Sequence, residues 1–129
     1  MPAMNPAIND DIVARATQNE AFRREVVTGE HSQVVVMTIP PGGEIGEEIH
    51  DHVDQVLVFV QGDGEAIIAG ETSPVRANSL AFVPAGTRHN FRNTGSIPLR
   101  LFTVYAPPEH PAGTVHQTKS DAEAAEEQP

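Results

Sequence analysis

Residues 42–64 read GGEIGEEIHDHVDQVLVFVQGDG, and this stretch decides both the fold and the chemistry. Acidic side chains, His50 and His52 crowd its first half, whereas residues 56–60 are continuously apolar. Side chains alternate between the two faces of a strand. If 47–53 is extended, Glu48, His50 and His52 project to one side. A rigid barrel that aims such groups inward is a good metal cradle, because geometry and not affinity alone selects the ion.

Working outward, short apolar runs alternate with Gly/Pro punctuation. QVVVMTI (33–39) is closed by PPGG, and QVLVFVQ (55–61) is closed by GDG, which reads as a hairpin turn. EAIIAG (65–70), SLAFVPAG (79–86), RHNFRN (88–93) and LRLFTVYAPP (99–108) follow. This pattern predicts an all-β barrel or sandwich. Helical periodicity is confined to DIVARATQNEAFRR (11–24), as one short helix or an irregular arm. There is no internal repeat, so the expected organisation is an N-terminal arm or helix over 1–30, a barrel over 31–108 and an acidic tail over 109–129. VVVM and VLVFV are apolar on both faces, whereas a small barrel needs only its interior face apolar. An outer layer or a second subunit must cover the other face, and a homodimer is expected.

The 129 residues allow one domain with one core. Apolar residues make up 39% and charged residues 20%, a globular balance. No apolar run approaches the roughly 20 residues that span a bilayer, so no membrane partner is expected. MPAMNPAINDDIVARA lacks the basic start and apolar run of a signal peptide, which makes the cytoplasm the expected location. The absence of cysteine excludes disulfides and thiolate ligands. A net charge of −10, from 18 acidic and 8 basic side chains, argues against nucleic acid, whose phosphates need a concentrated basic surface. Part of the excess lies in KSDAEAAEEQP, which reads as a solvated, partly helical extension.

A further histidine, His89, stands in PAGTRHNF just after a Pro-x-Gly turn. Over roughly 33–106 the sequence resembles the cupin superfamily, the small double-stranded β-helix or jelly-roll barrels. That family's second motif runs Gly, five residues, Pro-x-Gly, two residues, His, three residues, Asn. Pro84, Gly86, His89 and Asn93 fill it, and Asn78 stands where Gly is usual. Asn tolerates positive φ better than other non-glycine residues, so that departure is mild.

The first family motif runs Gly, five residues, His-x-His, three or four residues, Glu, six residues, Gly. Counting back from Gly62 puts Gln55 at the Glu position, His50 at the second His, Glu48 at the first and Gly42 at the leading Gly. The rival register pairs His50 with His52 but leaves only two residues before Gln55, a deficit that a bulge would have to absorb. The resemblance thus implies a metal site on His50, His89 and Gln55, completed by Glu48 or by His52.

The two registers differ in chemistry. Two histidines and one carboxylate are the pattern used for Fe(II) with open positions. Three imidazoles leave the ion's charge uncompensated, which suits a Lewis-acid role or an anionic substrate. Gln55 adds a neutral carbonyl oxygen or an outer hydrogen bond. The resemblance implies a divalent ion (Fe, Mn, Ni or Zn) and an enzyme acting on a small polar metabolite, either isomerase-like on sugars or dioxygenase-like. In an isomerase, Glu48 or Glu44 would shuttle the proton. A non-catalytic small-molecule-binding or sensory cupin is the alternative, since Gln for Glu weakens the site's anionic character.

Other residues read more plainly. Leu57, Phe59 and Phe91 share parity with Gln55 or His89 and should line the same interior. Glu44 and Glu47 read as exposed loop carboxylates. His31, His110 and His116 lie outside both motifs and read as structural or surface groups. Arg88 and Arg92 should point away from His89, and Arg76 and Arg100 are further candidates to neutralise an anionic substrate.

Overall fold

The computed structural model describes residues 7–126, so the ends of the expected arm and tail, 1–6 and 127–129, lie outside the described residues. Helix α1 (Ile12–Gln18) is followed by strands β1 (Arg23–Thr28), β2 (Gln33–Ile39), β3 (Asp54–Gln61), β4 (Asp63–Ile68), β5 (Glu71–Arg76), β6 (Leu80–Val83), β7 (His89–Asn93), β8 (Leu99–Ala106) and β9 (Val115–His116), then helix α2 (Lys119–Glu126). One sheet has the order β6-β3-β8-β2-β1-β9 and the other β5-β4-β7. The sheets face each other across one core, as in the double-stranded β-helix that the sequence predicts.

The central pairs come from the β-branched and aromatic runs, which fit a pleated and half-buried surface. β2 pairs antiparallel with β8 from Gln33↔Tyr105 to Ile39↔Leu99, and β3 pairs with the other edge of β8. Val35, Met37, Leu57, Phe59, Leu99 and Leu101 fill the interior from this sheet, and Ala66, Val75 and Phe91 from the other. Phe59 and Phe91 meet across the gap with ring centroids 5.6 Å apart. The interior positions expected from parity are all filled as packing.

Sheet topology goes beyond local patterning at three places. The GDG after β3 is not a hairpin: β3 pairs with β6 and β8, whereas β4 pairs with β5 and β7. Gly62 is instead the corner where the chain passes from one sheet to the other. Its φ is +94°, and a Cβ there would lie 2.7 Å from the Pro98 carbonyl oxygen. β5, ETSPVR, is a strand that apolar patterning does not reveal, because only Val75 in it is buried. The helical pattern over 11–24 does give one short helix, which ends at Gln18 with Asn19 capping α1 in extended backbone, and only its last two residues, Arg23 and Arg24, enter β1.

β1 and β9 lie in the segments read from sequence as arm and tail, yet both belong to the larger sheet, with Arg23 opposite Met37 on one side and His116 on the other. α1 buries Ala16 and packs on the outer face of that sheet, beside Val36, which is itself 1% exposed. Part of the second apolar face is thus covered from within the chain. Leu80 and Phe82 on β6 remain 67% and 51% exposed.

The second motif acts as a set of turns and clips. Asn78 adopts φ +75°, as its place in a glycine position requires. The Asn93 side-chain amide donates to the carbonyls of Ile39 and Ile97, and its oxygen accepts from the Gly95 N–H. That buried clip pins the end of β7 to the end of β2.

Candidate metal centre

β7 carries His89 into the interior, and residues 42–50 run alongside it as an irregular strand. Ile45 N–H donates to the Phe91 carbonyl, and Glu48 and His89 exchange both backbone bonds at 2.9 and 3.0 Å. Residues that exchange both bonds stand directly opposite each other with side chains on one face. His50, two residues on, keeps that parity, and its carbonyl accepts from the Gly86 N–H of the Pro-x-Gly turn. The chain then turns at Asp51–His52, and His52 is exposed. The extended reading of 47–53 therefore fails after His50.

One donor atom each from Glu48, His50 and His89 lie within 4.8 Å of one another. His50 Nε2 is 3.7 Å from Glu48 Oε1, and the two imidazole centroids are 5.3 Å apart. His89 is 2% exposed. Its Nδ1 lies 2.9 Å from the Thr87 carbonyl, a contact that requires N–H at that position and leaves Nε2 as the lone-pair nitrogen. Nε2 of His50, Nε2 of His89 and Oε1 of Gln55 are all buried without a hydrogen-bond partner. Buried polar atoms normally find partners, and the two orphaned imidazole nitrogens belong to residues whose donor atoms gather with Glu48, so they mark a place for a ligand. Gln55, at the start of β3, donates through Nε2 to Thr103 Oγ1 at 3.1 Å, which leaves its carbonyl oxygen as the free group.

Around these residues lies a layer that the two motifs do not reach. Glu109 Oε1 is 3.4 Å from His50 Nδ1. Glu109, followed by Glu48, raises the pKa of His50 to about 9 against the cost of burial. Burial works to raise Glu48, but the approach of His50 and the charges of His50, Arg23 and His89 outweigh it and hold the carboxyl below its usual range. His50 likewise lowers Glu109. Tyr105, 1% exposed, sets its ring edge-on to His50 at 6.0 Å and to His110 at 5.2 Å. Burial pushes the Tyr105 phenol upward, so it remains a neutral hydroxyl. Burial, then the Arg23 charge, drives His110 down to about 4.

Of the two readings, structural or surface, His110 and His116 take the structural one: His110 packs against Tyr105, and His116 packs against His110. His110 Nε2 is a buried orphan, and His116 Nδ1 contacts Arg23. Sequence spacing missed Glu109, His110 and Arg23 because they enter from the two chain ends, outside the motif-bearing strands. By contrast, Arg88 and Arg92 point outward and pair with Glu47 and Glu65, and His31 is exposed. Arg100 is buried, but its guanidinium bonds Asn19 O, Thr38 Oγ1 and Glu20, which makes it a structural tie.

The donor set fits a divalent ion: one carboxylate and two neutral-tautomer imidazoles supply charge and lone pairs suited to a borderline transition metal. Loading it must displace the proton that His50 carries at neutral pH in the metal-free protein.

The Cupin domain family matches residues 35–105. The Bacillus subtilis protein YrkC is 48% identical over 123 residues, covering 89% of this chain and 66% of its own length. The mimivirus protein L612 of Acanthamoeba polyphaga mimivirus is 33% identical over 102 residues, covering 76% of this chain and 64% of its own. The chain thus spans slightly under two thirds of each of these relatives. The crystal structure of BH2720 from Bacillus halodurans superposes with a TM-score of 0.91 at 42% identity, covering 92% of this chain and 95% of that one. With the two-sheet barrel, the inward Glu48, His50 and His89, and a family match over most of the strands, the chain belongs to the cupin family.

Proposed function

We propose that this cupin is a metal-dependent enzyme that oxygenates a small polar metabolite. Glu48, His50 and His89 would hold the ion, with Fe(II) as the best fit. The observation that carries this reading is the convergence of buried, partnerless Nε2 atoms of His50 and His89 on the Glu48 carboxylate. A two-histidine, one-carboxylate set on one side of Fe(II) leaves positions open for O2 and substrate together, which is the chemistry the ion supplies when bound.

The chain's own residues do the rest. Thr87 and Glu109 fix the two imidazoles by engaging their Nδ1 atoms. Phe59, Phe91 and Leu57 are fully buried around the interior and exclude water from it. Gln55 offers its free carbonyl oxygen to the ion, to an ordered water or to a substrate hydroxyl. An isomerase-like role for Glu48 is less well supported, since a proton shuttle needs a carboxylate free at the substrate. Both carboxylates near the cluster, Glu48 and Glu109, are engaged on His50.

The test is metal analysis of protein purified without chelator, followed by oxygen uptake with a panel of small hydroxy acids, keto acids and polyols. Near-stoichiometric divalent metal, lost in His50→Ala and His89→Ala, together with metal-dependent oxygen uptake, is the expected result. A protein that takes up no Fe(II) anaerobically would instead be a non-catalytic small-molecule-binding cupin.

A further inference from the structure

Gln33 opens β2 and is 1% exposed. It stands opposite Tyr105 in the pairing of β2 with β8, so the two side chains share the interior face that Val35 and Met37 fill as packing. An apolar residue would serve that packing, and a buried amide is costly unless its bonds are made. At Gln33 they are made, and they lead to the chain beyond β8. Nε2 donates to Thr28 Oγ1 at 2.8 Å and to the His110 carbonyl at 2.7 Å. Oε1 accepts from the N–H groups of Glu109 and His110 at 3.3 and 3.1 Å. Both amide hydrogens and both oxygen lone pairs are thus engaged. The Thr28 hydroxyl donates to Glu25 Oε2, so toward Gln33 it can only accept, which fixes the amide nitrogen on that side.

The segment held in this way is the one that carries Glu109. Its Oε1 is 3.4 Å from His50 Nδ1, and its side chain is 30% exposed. An ion contact of that length and exposure contributes little, too little to hold a segment that lies past the end of β8. His110, the next residue, sets its ring edge-on to Tyr105 at 5.2 Å. Gln33 therefore holds the backbone of 109–110 while Tyr105, its neighbour across the sheet, meets the His110 ring. The Asn93 clip differs in its target, since it ties strand ends to each other. The Gln33 clip bonds the backbone of the residue whose carboxylate reaches the cluster.

We infer that Gln33 is a positioning residue of the metal centre. By clipping the backbone of Glu109 and His110 it keeps the Glu109 carboxylate on His50 Nδ1, and so presents His50 Nε2 to Glu48 and His89. The inference rests on the metal-centre reading for the role of His50, whereas the hold on Glu109 stands without it. Gln33 acts through Glu109 and takes no part in the chemistry.

The experiment compares Zn(II) affinity, by competition with a chromophoric chelator, in the full wild-type chain, Gln33→Met, Glu109→Gln and the double variant. Titrations are made at alkaline pH, so that the proton on His50 does not mask the change. Gln33→Met should weaken binding at least about fivefold, as loss of a supporting partner does. In the Glu109→Gln background the same substitution should change affinity less than about twofold, because the carboxylate that it positions is already gone. A smaller loss in the first case, or a larger one in the second, overturns the inference. A clip that only stabilises the fold would act whether or not Glu109 keeps its charge. The nitrogen-15 shift of His50 Nδ1 in chelator-treated protein gives a readout that needs no metal. Gln33→Met should move it in the same direction as Glu109→Gln, and a shift that stays at its wild-type value in either variant overturns the inference. If Gln33→Met fails to fold, Gln33→Asn, which keeps the amide but falls one methylene short of the segment, takes its place with the same expected pattern. A wild type that takes up no Zn(II) sinks the metal-centre reading, and the His50 shift then decides the hold on Glu109. Zn(II) uptake with a His50 shift indifferent to Gln33 does the reverse.

Discussion

Glu48 and His89 stand directly opposite each other, each donating its backbone N–H to the other's carbonyl, at 2.9 and 3.0 Å. This exchange fixes the first carboxylate and the last imidazole of the cluster on one face of the smaller sheet, and it places His50 beside them. The Glu48, His50 and His89 cluster is therefore a property of backbone register, and side-chain substitutions should test its role cleanly.

Glu48→Ala should lower affinity for Fe(II) or Zn(II) by at least about 100-fold, the upper end of what loss of an outer-shell partner costs. His52→Ala should leave metal content unchanged, because His52 lies exposed past the turn at Asp51–His52. Metal analysis after dialysis against a weak chelator reads both. A His52→Ala protein that loses its metal, with Glu48→Ala retaining it, would restore the two-histidine register.

Glu109→Gln should weaken metal binding about 10–100-fold without changing stoichiometry at saturating metal. Glu109 approaches Nδ1 of His50, on the far side of the ring from Nε2, and selects the tautomer that presents Nε2 to the cluster. The distinguishing measurement is the pH dependence of binding. Without the carboxylate, His50 loses its proton more readily, so the loss of affinity on lowering pH should begin at a lower pH than in wild type. Unchanged affinity and an unchanged pH profile would mean that Glu109 only lines the surface.

The metal-free protein should be most stable near pH 6.5. His50 is raised to about 9 by Glu109 and Glu48, with His89 and Tyr105 as its other ring neighbours. A raised base contributes stability in full below its unfolded pKa of about 6.5, and this is lost as pH rises through about 9. His110, facing Tyr105, His116, Glu109 and Arg23, is lowered to about 4. The folded protein then binds fewer protons than the unfolded chain, so stability falls as pH drops from about 6.5 toward 4. Glu48 and Glu109, both lowered, add to the acid-side loss below about 4.5. Melting temperature measured from pH 4 to 9.5 should trace a maximum. In the metal-loaded protein the alkaline decline should vanish, because His50 is already deprotonated.

Much of this was legible in the chain, for physical reasons that also mark where legibility stops. Period-two patterning exposes β2, β3 and β8, whose core faces are apolar, and the Pro84–Gly86 turn places His89. Counting from Gly62 selects Glu48 over His52 because Gly62 is a real fixed point, a sheet-switching corner that tolerates no Cβ. The same Gly62 misled as a hairpin signal, since a local turn motif does not say which strand the chain will pair with next. β5 was invisible because one buried side chain in six leaves no pattern. Arg23, Glu109 and His110 were missed because pairing of β1 with β9 and the packing of residues after β8 are long-range events, and neighbouring residues carry no trace of them.

The outer face of the larger sheet should carry a homodimer contact. Phe82 pairs with Val56 and Leu80 with Val58, and these continue across β3 to Val104 and Phe102, forming one apolar surface. α1 packs over the β2 and β8 side of it, and the β6 side stays open, with Leu80 and Phe82 among the most exposed large apolar residues. A stable interface buries about 1,200–2,000 Å² in total, and a few central apolar side chains supply most of its energy. Light scattering should therefore give twice the chain mass for wild type and a single chain mass for a Leu80→Lys, Phe82→Glu double variant. Both substituted positions are solvent-exposed in the single chain, so the fold should survive, with a stability change within about 0.5 kcal/mol per site for the isolated protomer. A double variant that remains at twice the chain mass would place the contact elsewhere, and a wild type at one chain mass would leave this face without a second copy.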